Sequence, residues 1–283
     1  MRKVPLHLPG DPTQDGGPIA LKWHRLKLAS QDAPFRRDRL NDGLRHGAVL
    51  EVDVQALGDG TLVCLHDDHL DRETTGHGLV AETRVEALSS VTVRGDGGQR
   101  PLLLTELADA LAAHPHAGGH LQLDVKLTGP QVTDAVLWAL SQHMAAHAAR
   151  LVLSGYDWGL VGQLASALPG AGRGYDPLHT PQAATAMASP GDPARWTALL
   201  VAILGTAPSA DWVYLHHPFV WHARAVGIDL VGPLQAAGAK IDAWTVDVDD
   251  RHDWRSVVDA LRAAKVDQIT TNTAHAMAEM YRA

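Results

Sequence analysis

The chain has 283 residues, of which 46% are hydrophobic and 20% charged, a globular balance that excludes global disorder. Its formal charge of −8 argues against a nucleic-acid-binding surface, and no apolar run approaches the about 20 residues of a membrane-spanning helix. Cys64 is the single cysteine, which excludes an intrachain disulfide and a thiolate metal cluster. The N-terminus has no apolar core of a secretory signal, so a cytoplasmic protein without stable membrane insertion is expected.

Residues 1–18 carry Pro5, Pro9, Gly10, Pro12, Gly16, Gly17 and Pro18 and read as a turn-rich or frayed leader. From residue 19 to 283 short β-like runs alternate with amphipathic stretches. The β-like runs cover residues 19–23, 49–54, 61–65, 121–125, 150–153, 212–215, 240–246 and 268–271. Helical patterns cover residues 103–113, 131–148, 158–167, 193–204, 218–226, 231–237 and 255–264. Strands that alternate with helices predict a parallel sheet, and about eight of them predict an α/β fold of the TIM (β/α)₈ barrel type in a single domain. An open doubly wound sheet is the competitor, but no Gly-x-Gly-x-x-Gly follows the first strand.

The link between residues 54 and 61 is too short for a parallel crossover. It is therefore either a hairpin turning at Asp59-Gly60 or a barrel step that lacks its helix. Residues 67–101 are polar and rich in Gly and Thr, and read as an inserted loop. The run from Pro169 to Gly174 lacks the Lys-Ser/Thr of a phosphate-binding loop and reads as a βα loop at the rim. His216-His217 and His114, His116 and His120 read as solvated loop histidines.

In the run Leu50-Glu51-Val52-Asp53-Val54, strand alternation puts Glu51 and Asp53 on one face and the apolar residues on the other. In a barrel that face points inward. Two carboxylates there repel unless compensated, and a hard divalent cation is the simplest compensation. A half-exposed strand with its polar face in water explains the same pattern. The pattern recurs in Leu121-Gln122-Leu123-Asp124-Val125-Lys126, which favours the barrel interior and offers Asp124 as a third ligand beside Lys126. His24 and His66 each end an apolar run, where barrel active sites lie, and imidazole is the usual acid or base near neutrality.

The ordered set Trp23-His24-Arg25, Glu51-Val52-Asp53, Asp59-Gly60, His66-Asp67 and Arg72-Glu73-Thr74-Thr75-Gly76 resembles the glycerophosphodiester phosphodiesterase family. Pro101-Leu102-Leu103 with Glu106, Asp124-Val125-Lys126, Ala243-Trp244-Thr245-Val246 and residues 266–272 continue the resemblance. It implies a TIM barrel that uses one divalent metal ion, Mg²⁺ or Ca²⁺, to hydrolyse a small-molecule glycerophosphodiester to glycerol 3-phosphate and an alcohol, in glycerol and lipid metabolism. By position, Glu51, Asp53 and Asp124 are implied metal ligands and His24 and His66 an acid/base pair. Arg25 and Lys126 are implied phosphate contacts and Trp244 a wall of the glycerol pocket. The attacking oxygen, a glycerol hydroxyl or water, stays open, as do the alcohol released and the oligomeric state.

The departures are Leu26 for Gly, Asp124 for Glu, Asn272 for Asp, and residues 33–38 in place of Pro-Glu-Asn-Thr. Leu26 is expected to shift the loop after His24 or to fill part of the site. Two further readings accommodate these changes: a phospholipase D-type enzyme acting on lysolipids, which needs an apolar lip, and a non-catalytic phosphodiester-binding barrel.

Overall fold

A computed structural model describes residues 6–8, 17–115, 118–249 and 253–281. The strands, in chain order, are β1 (His7–Leu8), β2 (Ile19–Trp23), β3 (Val49–Ala56), β4 (Leu62–Cys64), β5 (Leu121–Val125), β6 (Leu151–Gly155), β7 (Gly172–Tyr175), β8 (Trp212–His216), β9 (Lys240–Trp244) and β10 (Gln268–Thr271). Strands β2, β3, β5, β6, β7, β8, β9 and β10 pair in parallel, and β10 pairs with β2 to close the ring. This is a TIM barrel.

The helices are α1 (Arg37–His46), α2 (Leu104–Ala113), α3 (Asp134–Met144), α4 (Trp158–Ala167), α5 (Pro181–Ala188), α6 (Pro193–Thr206), α7 (His217–Ala225), α8 (Val231–Ala236), α9 (Trp254–Ala263) and α10 (Ala274–Met280). Local chemistry starts and stops them. Thr180 and Asp192 accept from Ala183 N and Ala194 N to cap α5 and α6, each with proline in the first turn. Gly47, at φ 72°, ends α1 in the left-handed conformation. Among the described residues no helix is long and apolar enough to cross a membrane.

The strand pattern separates two environments. Leu50, Val52 and Val54 of β3, with Leu121, Leu123 and Val125 of β5, pack outward against α1–α4. The outward residues of β8–β10, among them Val213, Leu215, Ile241 and Ile269, pack with α5–α9. Inside the ring the alternate residues are polar at one end. Elsewhere they form a small cluster of Val152, Trp212 and Tyr214 with Trp244 against it.

Several expectations need correction. Residues 61–65 do not supply a barrel strand: β4 pairs antiparallel with β3, Val54 facing Cys64, so the short link is a hairpin. Gly60 turns it at φ 84°, where a Cβ would be strained. The eighth barrel strand is instead β7, which overlaps the run read as a rim loop. Helices α1, α5 and α10 were not expected from the periodicity.

Within the 1–18 leader, residues 1–5 and 9–16 lie outside the described residues. His7–Leu8 is not frayed but pairs antiparallel with β2, and Leu8 is buried. His116 also lies outside the described residues, whereas His217 is buried and His120 packs 5.1 Å from the Trp212 ring, so neither is a solvated loop residue. Segment 67–101 is an ordered excursion between β4 and α2. It contains two 3₁₀ turns and wraps its own apolar cluster of Leu57, Val63, Leu65, Leu70, Val80, Leu88 and Val91.

Candidate active site

Register brings the carboxylates together. β3 and β5 align so that Glu51 lies level with Gln122 and Asp53 with Asp124. The β3 face that points into the barrel therefore meets its counterpart on β5. One oxygen from each of Glu51, Asp53 and Asp124 falls within 4.8 Å of the others. Lys126 follows β5 directly, its N–H donating to Val54 O at 3.0 Å, so that its ammonium rises beside Asp124 and reaches Asp53 Oδ1 at 3.1 Å. His24, Arg25, Glu51, Asp53, His66, Asp124, Lys126 and Trp244 all line one cavity at the C-terminal end of the barrel.

The turn after β2 is unusual. Arg25 and Leu26 both have positive φ, 53° and 59°. A glycine takes this conformation freely, whereas an L-residue is strained by about 1–2 kcal/mol. Leu26 holds this conformation and does not line the cavity. It is completely buried in the outer core with Trp23, Leu28 and Phe35. The turn aims Arg25 N at Glu51 Oε2, 2.7 Å away, and places Arg25 Nε 2.8 Å from Asp53 Oδ2. That last contact is a charge contact rather than a hydrogen bond, because neither atom has an aligned hydrogen-bond partner.

Three carboxylates thus face two cations, Arg25 and Lys126. Asp53 and Asp124 take both, while Glu51 receives a backbone N–H and has His24 Nε2 at 3.9 Å. Burial, followed by repulsion from Asp53 and Asp124, pushes the Glu51 carboxyl up to about 8. Burial opposes the charge on Lys126, but Asp124 and Asp53 outweigh it and hold the ammonium protonated. Asp124 stays below the usual carboxylate range because Lys126 overcomes its burial. An uncompensated buried carboxylate beside an unmatched Asp53 oxygen fits a hard divalent cation, which takes oxygen ligands. Shortening Glu to Asp at residue 124 does not take this group out of the cluster.

The two imidazoles are held differently. His24 Nδ1 lies 2.9 Å from Asn272 Oδ1. Asn272 donates its Nδ2 to Asp247 Oδ2 at 2.7 Å and its backbone N–H to Asp247 Oδ1 at 2.6 Å. With its amide hydrogens committed to Asp247, Asn272 presents oxygen to His24. The His24 proton therefore sits on Nδ1 and the Nε2 lone pair faces the cavity. Burial, then Arg25, pulls His24 down to about 4, so it is neutral.

His66 Nδ1 lies 2.8 Å from Asp67 Oδ1, and Asp67 is paired with Arg72, which holds its carboxyl down to about 2. Glu73 accepts from the backbone N–H groups of His66 and Asp67 at 2.9 and 3.0 Å. The Arg-Glu-Thr-Thr-Gly loop thus folds back to fix His66, with Thr74 buried and bonded to Leu70 O. Glu106 is structural: it pairs with Arg37 and accepts from Leu103 N at the start of α2.

The cavity also contains residues that sequence reasoning did not single out: Lys22, Tyr156, Asp176, Tyr214, Thr245 and Thr270. Lys22 is 1% exposed, bonded to Gln122 and 3.2 Å from Asp242, and its ammonium sits 4.2 Å from the Tyr214 ring centre. Alternation along β2 was the signal for Lys22. For Asp176 there was no such signal, because it follows β7, the strand disguised by its glycines. Among the described residues no aliphatic side chain lines this cavity, but Val125, Leu127 and Leu160 line an adjoining recess that shares His66, Lys126 and Tyr156 with it.

Residues 40–276 match the glycerophosphoryl diester phosphodiesterase family. Solved structures with the same fold include a phosphodiesterase of Oleispira antarctica in complex with its product sn-glycerol-3-phosphate, at 19% identity over 93% of this chain and 96% of that chain, with a TM-score of 0.65. A glycerophosphodiester phosphodiesterase of Parabacteroides distasonis matches at 15% identity over 93% and 96%, with a TM-score of 0.68. The enzyme of the same name from Thermotoga maritima matches at 15% identity over 93% and 98%, with a TM-score of 0.63. No curated protein sequence matches the chain.

Proposed function

Because the chain belongs to the glycerophosphoryl diester phosphodiesterase family, and so is a phosphoric diester hydrolase, we propose that it cleaves a glycerophosphodiester to glycerol 3-phosphate and an alcohol. The observation that carries this reading is the convergence of Glu51, Asp53 and Asp124, of Arg25 and Lys126, and of His24 and His66 on one cavity. Glu51, Asp53 and Asp124 would hold one divalent ion, Mg²⁺ or Ca²⁺. When bound, that ion supplies charge neutralisation for the phosphoryl oxygens.

Arg25 and Lys126 flank the carboxylates and receive the remaining negative charge of the diester, in a cavity where such contacts are stronger than in water. His24, neutral and with its Nε2 lone pair inward, takes the proton from the attacking oxygen, whether of water or of a glycerol hydroxyl. His66, backed by Asp67, returns a proton to the departing alkoxide oxygen. Trp244, with a buried Nε1–H that has no partner among the described residues, offers a flat wall and a donor to the glycerol unit. One water is consumed and glycerol 3-phosphate and one alcohol are released: water either attacks the diester directly or opens the cyclic phosphate that a glycerol hydroxyl has formed.

The test incubates the full chain with glycerophosphocholine and Mg²⁺ or Ca²⁺, then with a chelator, and follows phosphorus NMR. Appearance of glycerol 3-phosphate, abolished by the chelator and restored by either ion, is expected. Binding of the diester without turnover under any divalent ion would instead make the chain a non-catalytic phosphodiester-binding barrel.

A further inference from the structure

The cavity does not end at the carboxylates. A second recess adjoins it at the C-terminal ends of β6 and β7, and the two share Tyr156 and Asp176. Tyr156 stands between them, 38% exposed, with the Lys126 ammonium 5.4 Å from its ring centre on the phosphate side. His179 meets Tyr156 edge-on, with ring centres 4.3 Å apart. Trp158, Asp157, Asp176, Thr180 and Thr206 also line it, and among the described residues neither Lys nor Arg does. The Arg173 guanidinium lies 5.3 Å from the Trp158 ring centre, so this ring, like that of Tyr156, already has one positive charge of the chain beside it.

Asp176 is only 8% exposed. One of its oxygens accepts from Leu178 N at 2.8 Å, and no cation pairs with it among the described residues. Burial raises its carboxyl well above the usual carboxylate range. Asp157 spends one oxygen on Leu160 N at 3.1 Å to cap α4 and keeps the other. Aromatic faces attract cations through their quadrupole, and a buried carboxylate without a counter-charge is costly. Asp157 is exposed and solvated, but Lys126 and Lys22 offset only part of the burial cost at Asp176, so a neutral or anionic group in this recess leaves Asp176 short of counter-charge, whereas a compact cation faces the rings and that carboxyl together.

We propose that this recess is a leaving-group subsite that selects alcohols bearing a quaternary ammonium. The proposal rests on the hydrolase reading for the word leaving group, and the experiment separates the two. Binding is read first, on the full chain without substrate. Choline and its uncharged isostere 3,3-dimethylbutan-1-ol are titrated while the ring resonances of Tyr156 and Trp158 are followed by NMR. Choline is expected to move both rings and to bind about tenfold or more tightly than the isostere. Tyr156→Ala and Asp176→Asn are expected to erase that difference; if Asp176→Asn fails to fold, the exposed Tyr156 carries the comparison. Equal binding of the two probes, or a preference that survives in the folded variants, overturns the proposal.

Turnover is read second, as the ratio of kcat/KM for glycerophosphocholine to that for the 3,3-dimethylbutyl diester. The ratio is expected to be about ten or more in the native chain and near one in the variants. A native ratio near one overturns the proposal. A chain that binds choline through Tyr156 and Asp176 but cleaves neither diester with any divalent ion supports the subsite and refutes the hydrolase reading.

Discussion

At the residue level the chemistry divides between groups that would touch substrate and groups that hold them. His24→Ala and His66→Ala are each expected to lower kcat by about 10²–10⁴-fold, the range for a lost general acid or base, with an unchanged far-ultraviolet circular dichroism spectrum. Normal rates in both would remove their assigned roles. Asn272 acts through His24, fixing its tautomer from a position anchored on Asp247. Asn272→Ala should therefore lower kcat by about 10–100-fold, as loss of a supporting hydrogen bond does, while KM stays near its native value. Steady-state kinetics separate the two parameters, and an unaffected kcat shows that His24 needs no anchor. Legibility at this scale was uneven. Residues His24, Glu51, Asp53, His66 and Asp124 stand out because charged or imidazole groups end or alternate with apolar runs. Asp247 did not, and Asn272 showed only as a departure from the family's Asp, since a hydrogen bond between the segments that follow β9 and β10 has no local periodicity to betray it.

Among the elements, β7 is the instructive case. Gly-Arg-Gly-Tyr reads as a loop because glycine is poor in strands. Its reason is on the neighbouring strand: a Cβ on Gly174 would lie 2.3 Å from Tyr214 Cε2, so β7 leaves out a side chain where β8 puts in a ring. Gly174→Ala is expected to destabilise the protein by about 1–3 kcal/mol through overpacking, read from the urea midpoint. The β2–α1 turn carries the opposite compromise. Leu26→Gly relieves a left-handed backbone worth about 1–2 kcal/mol but empties a fully buried site, where truncating a leucine costs about 2–5 kcal/mol. A net loss of about 1–3 kcal/mol is expected, and a gain in urea midpoint would show that strain outweighs packing here. The β3–β4 hairpin was visible as a problem of length rather than of pattern: six residues cannot carry a parallel crossover, yet alternation alone cannot say which way the next strand runs.

For the molecule as a whole, the excess of carboxylates in the barrel mouth links folding, pH and cation binding. Glu51, pushed from 4.5 up to about 8, holds a proton in the folded chain that the unfolded chain has released, so stability falls as pH rises through that window. Asp176, also raised, acts with the same sign. His24 and His120, pulled from 6.5 down to about 4, act oppositely: the unfolded chain takes up protons that the folded chain refuses, so stability falls as pH drops below about 6.5. Between about pH 6.5 and 8 the carboxylate slope stands without the histidine slope. A divalent ion on Glu51 displaces the proton, so the rise in melting temperature on adding Mg²⁺ or Ca²⁺ should be larger at about pH 8 than at about pH 6. Differential scanning fluorimetry at the two pH values reads this, and an increment independent of pH contradicts Glu51 as a ligand.

Apolar alternation and helical periodicity, which are local, determined by themselves that this chain makes parallel strands and outer helices and that carboxylates share the inner faces of β3 and β5. Two features needed the closed ring. Which strand completes it, β7 rather than β4, depends on the Tyr214 ring filling the space above Gly174. Which groups meet across it, Asp53 with Asp124 on one wall and Tyr156 with Asp176 at the mouth, depends on strand register and closure. Those are relations between residues distant in the chain, and no periodicity within a single element encodes them.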